Sequence, residues 1–205
     1  MSGEDSHALG MTERPTIVWR RLDRPGREAA LVRRIRSGWR LFGTVELQRD
    51  APQACLSHVT TCDRHWQTRD CEITGFVENV AIAVHVGRDS AGRWSLGGVS
   101  IPETTGCDDI DLAFSPLTNL LPIRRLALAV GSSARVRAAW LRFPELTLEV
   151  LQQTYTRVDR DRYLYETADG AFRRELTVND TGLVLEYPGL WTADFDAGSG
   201  ELLPA

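Results

Sequence analysis

The sequence predicts an all-β fold in which one antiparallel sheet curves strongly, as a β-roll or an incomplete barrel, and is built from two similar halves. Short β-branched and aromatic runs alternate along the chain with turns rich in Gly and Asp. Helical periodicity is scarce, and a similar order of residues recurs in the second half of the chain.

A hairpin pattern stands out in the first half. Residues 81–86 form a short β-branched run, residues 87–92 supply a turn, and residues 93–96 resume the strand. We therefore expect two paired strands here.

One segment of the first half has a helical pattern instead. Within residues 27–37, Ala30, Leu31 and Arg34 fall on one side of a helix, and Gly38 follows as a terminator. We expect a short helix at this place.

The second half reads as a series of strands. Residues 146–155 alternate well enough for one long strand, and residues 163–165, 172–178 and 183–187 supply three more. Residues 179–182 form the turn before the last of them. These signals are typical of a β-meander.

The two halves match each other at aromatic and aliphatic positions. The matched pairs are Trp39 with Trp140, Leu47 with Leu148, Leu56 with Leu151, and Trp66 with Tyr163. We interpret the match as an internal duplication of a meander whose two units share one core, since a lone meander cannot bury both faces.

This interpretation gives a layout of one domain with a tail at each end. The expected parts are a disordered N-terminal tail at 1–14, a single domain at 15–195 with halves at 39–96 and 140–191 joined by the segment 107–126, and a C-terminal tail at 196–205.

Composition excludes several classes of function. The formal net charge of −4 gives no electrostatic reason to expect a nucleic-acid partner. All 24 basic residues are Arg, so no Schiff-base or P-loop lysine is available. No apolar run is long enough for stable membrane insertion, and the first residues do not resemble a signal peptide. We expect a cytoplasmic protein without a cofactor.

The segment that joins the two halves carries the candidate site. On a strand, Asp109 and Asp111 lie on one face, where two carboxylates repel unless something neutralises them. Arg124 and Arg125 follow on a connection stiffened by prolines, and Asn119 adds an amide. These five side chains are the predicted ligand-binding residues.

Two interpretations of this cluster remain open. The arginines and aspartates can hold the hydroxyls or charge of a sugar or lipid headgroup, because guanidinium groups bind such oxygens well. They can equally form an internal Asp–Arg network that fastens the two halves together.

The chain also resembles a bacterial family of glycolipid-binding proteins. The resemblance rests on residues 108–112, 121–126, 139–141, 153–155 and 187–191, within a match that runs from about Trp39 to Trp191. It implies a cytoplasmic β-roll with a cavity, similar in shape to lipoprotein carriers, and a lipid or glycolipid-like ligand.

The sequence also allows a metal-dependent and a catalytic alternative. His58, Cys62, His65 and Cys71 could supply zinc ligands, but their spacing matches no known finger or ribbon. Asp109 and Asp111 could act as an acid and base pair on a glycoside.

The expected function is therefore non-catalytic binding of a lipid or glycolipid-like small molecule. The apolar inner face of the sheet would hold the acyl part, and the charged cluster would engage the headgroup. A hydrolase or lyase that uses Asp109 and Asp111, and a structural or interaction module with an internal Asp–Arg staple, are the alternatives.

Overall fold

The computed structural model describes residues 16–48 and 52–197, and its 15 strands all belong to one sheet. The expected tail at 1–14 and all but the first two residues of the tail at 196–205 lie outside the described residues. The strands are β1 (Ile17–Arg21), β2 (Gly26–Ile35), β3 (Gly38–Leu47), β4 (Ala54–Asp63), β5 (Thr68–Val77), β6 (Val80–Arg88), β7 (Trp94–Leu96), β8 (Val99–Ser100), β9 (Asp109–Leu112), β10 (Ser133–Leu141), β11 (Leu148–Arg157), β12 (Arg162–Thr167), β13 (Arg173–Val178), β14 (Val184–Tyr187) and β15 (Trp191–Asp196).

The order of the strands explains how two meanders make one sheet. β1 to β8 extend in sequence from the middle of the sheet to one edge, and β15 back to β9 extend from the middle to the other edge. β1 and β15 pair at the centre, so the two meanders are continuous. All of the pairings are antiparallel except that of β9 with β10. The sheet is strongly curled without closing into a barrel, which confirms the predicted all-β class.

The prediction of a helix before Gly38 is wrong, because this part of the chain forms β2. Glu28, Ala30 and Val32 alternate inward along the strand and are almost fully buried. β2 has a partner on each side, β1 and β3, so long-range pairing outweighs the weak helical pattern.

A short helix, α1 (Leu120–Leu126), lies in the connection between β9 and β10. A 3₁₀ turn, Leu117–Asn119, leads into it. Pro122 sits in the first turn of the helix, where its missing N–H leaves no hydrogen bond unmade. Leu117, Leu120 and Leu121 of this segment are buried in the core, so the segment fills the inside of the curled sheet.

The strand β9 joins the two halves of the sheet. It pairs with β10 along its edge, while the Ile110 backbone N–H donates to Thr68 Oγ1 of β5 at 3.1 Å. The first half therefore curls back to meet the far edge of the second half.

The structure does not place the repeat pairs at like positions. Trp39 is the second residue of β3, whereas Trp140 is the second-last residue of β10. The duplication stays a prediction. The expected hairpin over residues 81–96 and the strands of the second half are present as β6 with β7 and as β11 to β14.

No helix in the described parts of the chain is long and apolar enough to cross a membrane.

Candidate functional site

Arg125 and Asp109 form a largely buried ion pair. Arg125 Nε donates to Asp109 Oδ1 at 3.0 Å and Nη2 donates to Oδ2 at 2.6 Å, a two-pronged geometry. Asp109 is 1% exposed. Burial raises the pKa of Asp109, and the guanidinium opposes that rise. Arg125 also lies 3.6 Å from Asp108, so its charge is well compensated.

Asp111 has a different partner and a different surrounding. Gln153 Nε2 of β11 donates to Asp111 Oδ2 at 2.5 Å. Burial raises the pKa of Asp111 to about 6. Burial also raises the pKa of the neighbouring Tyr165 and Tyr187 hydroxyls, and the Asp111 charge adds to this effect.

Asn119 forms a separate set of internal hydrogen bonds. Its Oδ1 accepts from the Tyr155 hydroxyl at 2.9 Å, and its Nδ2 donates to the Pro116 carbonyl at 3.1 Å. Asn119 is therefore a bridge between the segment before α1 and the strand β11.

Arg124 points in another direction from Arg125, because successive residues of an α-helix are turned by about 100°. Its guanidinium lies over the ring of Trp66, 5.2 Å from the ring centroid. Burial lowers the pKa of Arg124, and it forms no ion pair with the described residues. It is thus a half-buried cation without a carboxylate partner in the described chain.

Arg124 lies in a cleft of about 620 Å³ between α1, the β4–β5 turn and the second half of the sheet. This volume is within the range of small-molecule sites. The apolar lining residues are Trp66, Ile123, Ala127, Tyr163 and Val178, and the polar ones are Arg124, Arg157, Arg160, Asn179, Asp180, Thr181 and the backbone of Gly182.

Most of the cleft's polar groups already have partners. Arg157 donates to the carbonyls of Leu128 and Arg160, and Arg160 pairs with Asp180 at the rim. The Tyr163 hydroxyl, by contrast, makes no hydrogen bond to the described residues. Arg124 and Tyr163 are therefore two groups of the cleft that can bind a ligand without breaking a hydrogen bond to the described residues.

The five predicted site residues thus separate into two groups. Arg124 lines the cleft, whereas Asp109, Asp111, Asn119 and Arg125 do not line it and make hydrogen bonds inside the protein. Ligand contact by any of the five stays a prediction. The cleft residues on β11 to β14 were missed, since no local signal in the sequence links them to α1.

A second buried polar network was also missed. Glu28 Oε1 accepts from the Ser115 hydroxyl at 2.8 Å and lies 2.9 Å from His58 Nε2. Gly43 lies against this pair, and an added Cβ would be 2.1 Å from the imidazole. The network ties β2 and β4 to the segment before α1. His58, considered above as a possible zinc ligand, has the Glu28 carboxylate as its partner.

Comparisons with known proteins agree with this architecture. A family model described as "Putative glycolipid-binding" matches residues 16–193. The crystal structure of a DUF1089 family protein from Pseudomonas aeruginosa is similar, with a TM-score of 0.71 and 31% identity over 93% of this chain and 99% of that chain. No curated protein matches the chain. With most of its length matched, the chain belongs to the family described as "Putative glycolipid-binding".

Proposed function

We propose that this protein binds an amphipathic, glycolipid-like molecule with an anionic headgroup in the cleft at Arg124, and that it does so without catalysis. The observation that carries the proposal is the Arg124 guanidinium, which is half-buried, stacked on Trp66 and without an ion-pair partner among the described residues. A buried cation is costly unless a counter-charge reaches it, and a ligand phosphate or carboxylate would supply one.

The composition of the cleft supports an anionic and hydroxylated headgroup. Three arginines and one aspartate line it, so its charge favours an anion. The unbonded Tyr163 hydroxyl offers a donor and an acceptor for a sugar or glycerol hydroxyl.

The apolar part of the ligand has a place in the same cleft. The inner face of the sheet, which was expected to hold it, is packed at α1 by the chain's own Leu117, Leu120 and Leu121. Trp66, Ile123 and Val178 form an apolar wall beside Arg124. We therefore place the first part of the acyl chain along this wall.

Three of the remaining predicted residues, Asp109, Asn119 and Arg125, act in this proposal through α1. The Asp109–Arg125 pair and the Asn119–Tyr155 bond fix the two ends of the segment that presents Arg124. Their contribution to binding would be to position that side chain, as supporting residues do in other sites.

One observation favours the enzymatic alternative. The pKa of Asp111, raised to about 6, suits a general acid. Asp111 does not line the Arg124 cleft, however, and Asp109 is held by Arg125. Binding therefore fits the geometry better than glycoside cleavage.

The test is a binding titration with a short-chain anionic phospholipid that carries glycerol hydroxyls, dihexanoyl phosphatidylglycerol. Arg124→Gln should weaken binding about tenfold or more, since a charge-assisted contact is worth about 1.5–3 kcal/mol. Arg142→Gln is the matched control, because Arg142 also lies 5.2 Å from a tryptophan ring, that of Trp140, but outside the cleft.

Each result has a definite meaning. The proposal expects binding by wild type and Arg142→Gln, weaker binding by Arg124→Gln, and weaker binding of the zwitterionic lipid with a choline headgroup. Equal affinity of all three proteins would show that Arg124 does not meet the headgroup. Release of hydrolysed lipid during the titration would favour the enzymatic alternative.

A further inference from the structure

The free edge of β6 is a candidate interaction surface. β7 pairs only with residues 86–88 of this strand, and the Gly97 N–H donates to the His85 carbonyl at 2.8 Å. Among the described residues, positions 80–84 therefore pair with β5 alone. One row of backbone N–H and C=O groups is left open over this stretch.

The open stretch is apolar and accessible. Val80 is 61% exposed, Ala81 and Ala83 are exposed, and Ile82 and Val84 are half-buried. Natural sheets usually protect such an edge with a charge, a proline or a bulge, and residues 80–84 contain no charge and no proline. The edge thus has the properties of a surface that another strand covers.

The sequence of this stretch is palindromic. Read in either direction, residues 80–84 are Val-Ala-Ile-Ala-Val. In an antiparallel pair with a second copy centred on Ile82, valine meets valine, alanine meets alanine and isoleucine meets isoleucine. A two-fold axis requires this kind of self-complementary surface.

The directions of the backbone N–H and C=O groups agree with a two-fold axis at Ile82. In an antiparallel strand, the N–H and C=O groups of alternate residues point to alternate edges. His85 uses its carbonyl on the β7 side, so Ala83 and Ala81 present their groups on that side too. In the two-fold arrangement Ala81 lies opposite Ala83 of the second copy, and each such pair exchanges both backbone hydrogen bonds.

We infer that two copies of this chain associate through antiparallel pairing of β6 with β6 about Ile82, which joins their sheets into one. The pairing spans five residues, between the β5–β6 turn and the Gly97 contact at His85. An interface of this length is small, so the dimer is weak and depends on concentration, with dimerisation expected between about 10 μM and 1 mM.

Analytical ultracentrifugation over that range tests the inference. Ile82→Lys places two like charges at the two-fold axis and should leave the protein monomeric. An equimolar mixture of Ile82→Lys and Ile82→Glu should dimerise again, because opposite charges then meet. Phe76→Lys is the control, since Phe76 is 56% exposed in the same hairpin but lies on β5, away from the edge.

A backbone variant covers the case in which Ile82→Lys does not fold. Ala83→Pro removes an N–H that points to the free edge, so β5 keeps its pairing while the dimer loses hydrogen bonds. A dimeric wild type together with a monomeric Ala83→Pro variant would support the inference. A wild-type monomer throughout the range, or a dimer that both edge variants leave intact, would overturn it.

Discussion

Two adjacent arginines at the end of α1 show how much a side chain's role depends on its direction. Arg125 turns toward Asp109 and forms a two-pronged pair inside the protein. Arg124, one residue earlier, turns toward the cleft and stacks on Trp66. The first has the surroundings of a structural residue and the second those of a binding residue.

This difference predicts unequal effects on stability. Arg125→Gln leaves the Asp109 carboxylate buried without its partner, which costs about 3–5 kcal/mol. Arg124→Gln removes a cation without an ion-pair partner and should change the free energy of unfolding by less than about 1 kcal/mol. Urea unfolding of the two variants beside wild type measures both values. Similar losses in the two variants would contradict the assignment.

Asp111 predicts a pH dependence with a definite sign. The unfolded chain ionises this carboxyl near pH 3.8, whereas the folded protein keeps the proton until about pH 6. The folded state therefore binds more protons in this interval, and stability falls as the pH rises through it. The full difference corresponds to about 3 kcal/mol.

Asp111→Asn isolates that contribution, because the amide does not titrate. Between pH 4 and pH 7 the wild type should lose about 2–3 kcal/mol of unfolding free energy relative to the variant, measured by urea unfolding at each pH. Parallel curves of unfolding free energy against pH for the two proteins would show that folding does not raise the pKa of Asp111.

The sequence pointed to some residues of the site and not to others, for physical reasons. Arg124 and Arg125 stand out because charges among apolar residues need partners. Which of the two faces the cleft depends on the helix, and that helix was not expected. Trp66 and Tyr163 reach the cleft only through the curl of the sheet, which short-range patterns do not reveal.

Among the elements, α1 depends most on its surroundings. A helix of seven residues with an internal proline has little stability of its own. Its stability comes from packing, since Leu120 and Leu121 are buried in the core and Ile123 contacts Gly182. The cleft is therefore positioned by the core.

The packing of α1 predicts a large effect of one truncation. Leu121 is fully buried, so Leu121→Ala should cost about 2–5 kcal/mol and loosen the helix that presents Arg124. Leu22→Ala, at a residue that is 43% exposed, is the control with a small effect. Thermal unfolding compares the two. Equal melting temperatures would mean that α1 does not support the core.

Strands were predicted more reliably than this helix, and the reason lies in the pattern. β6 with β7 and β11 to β14 have local alternation and clear turns. Residues 117–126 are apolar on nearly every side because the segment is surrounded by the sheet, so no 3.6-residue period appears. β2 has a helical pattern by chance and becomes a strand through its two neighbours.

At the scale of the whole molecule, the cleft exists because two meanders share one curled sheet. Trp66 comes from the first half, Arg124 from the connecting segment and Tyr163 from the second half. The curved all-β class was predictable from the strand patterns and the family resemblance. The central β1–β15 pairing was not, because it joins residues far apart in the chain.

The central claim is that an amphipathic anion occupies the cleft at Arg124, and its most direct test is nuclear magnetic resonance of the six tryptophan indole N–H groups. Trp66 lines the cleft, whereas the Trp19 indole is buried and donates to the Val184 carbonyl at 2.6 Å. Titration with dihexanoyl phosphatidylglycerol should shift the Trp66 resonance, assigned with Trp66→Phe, to saturation and leave that of Trp19 in place. A saturable titration in which Trp66 does not move, or no shift of any indole, would contradict the account.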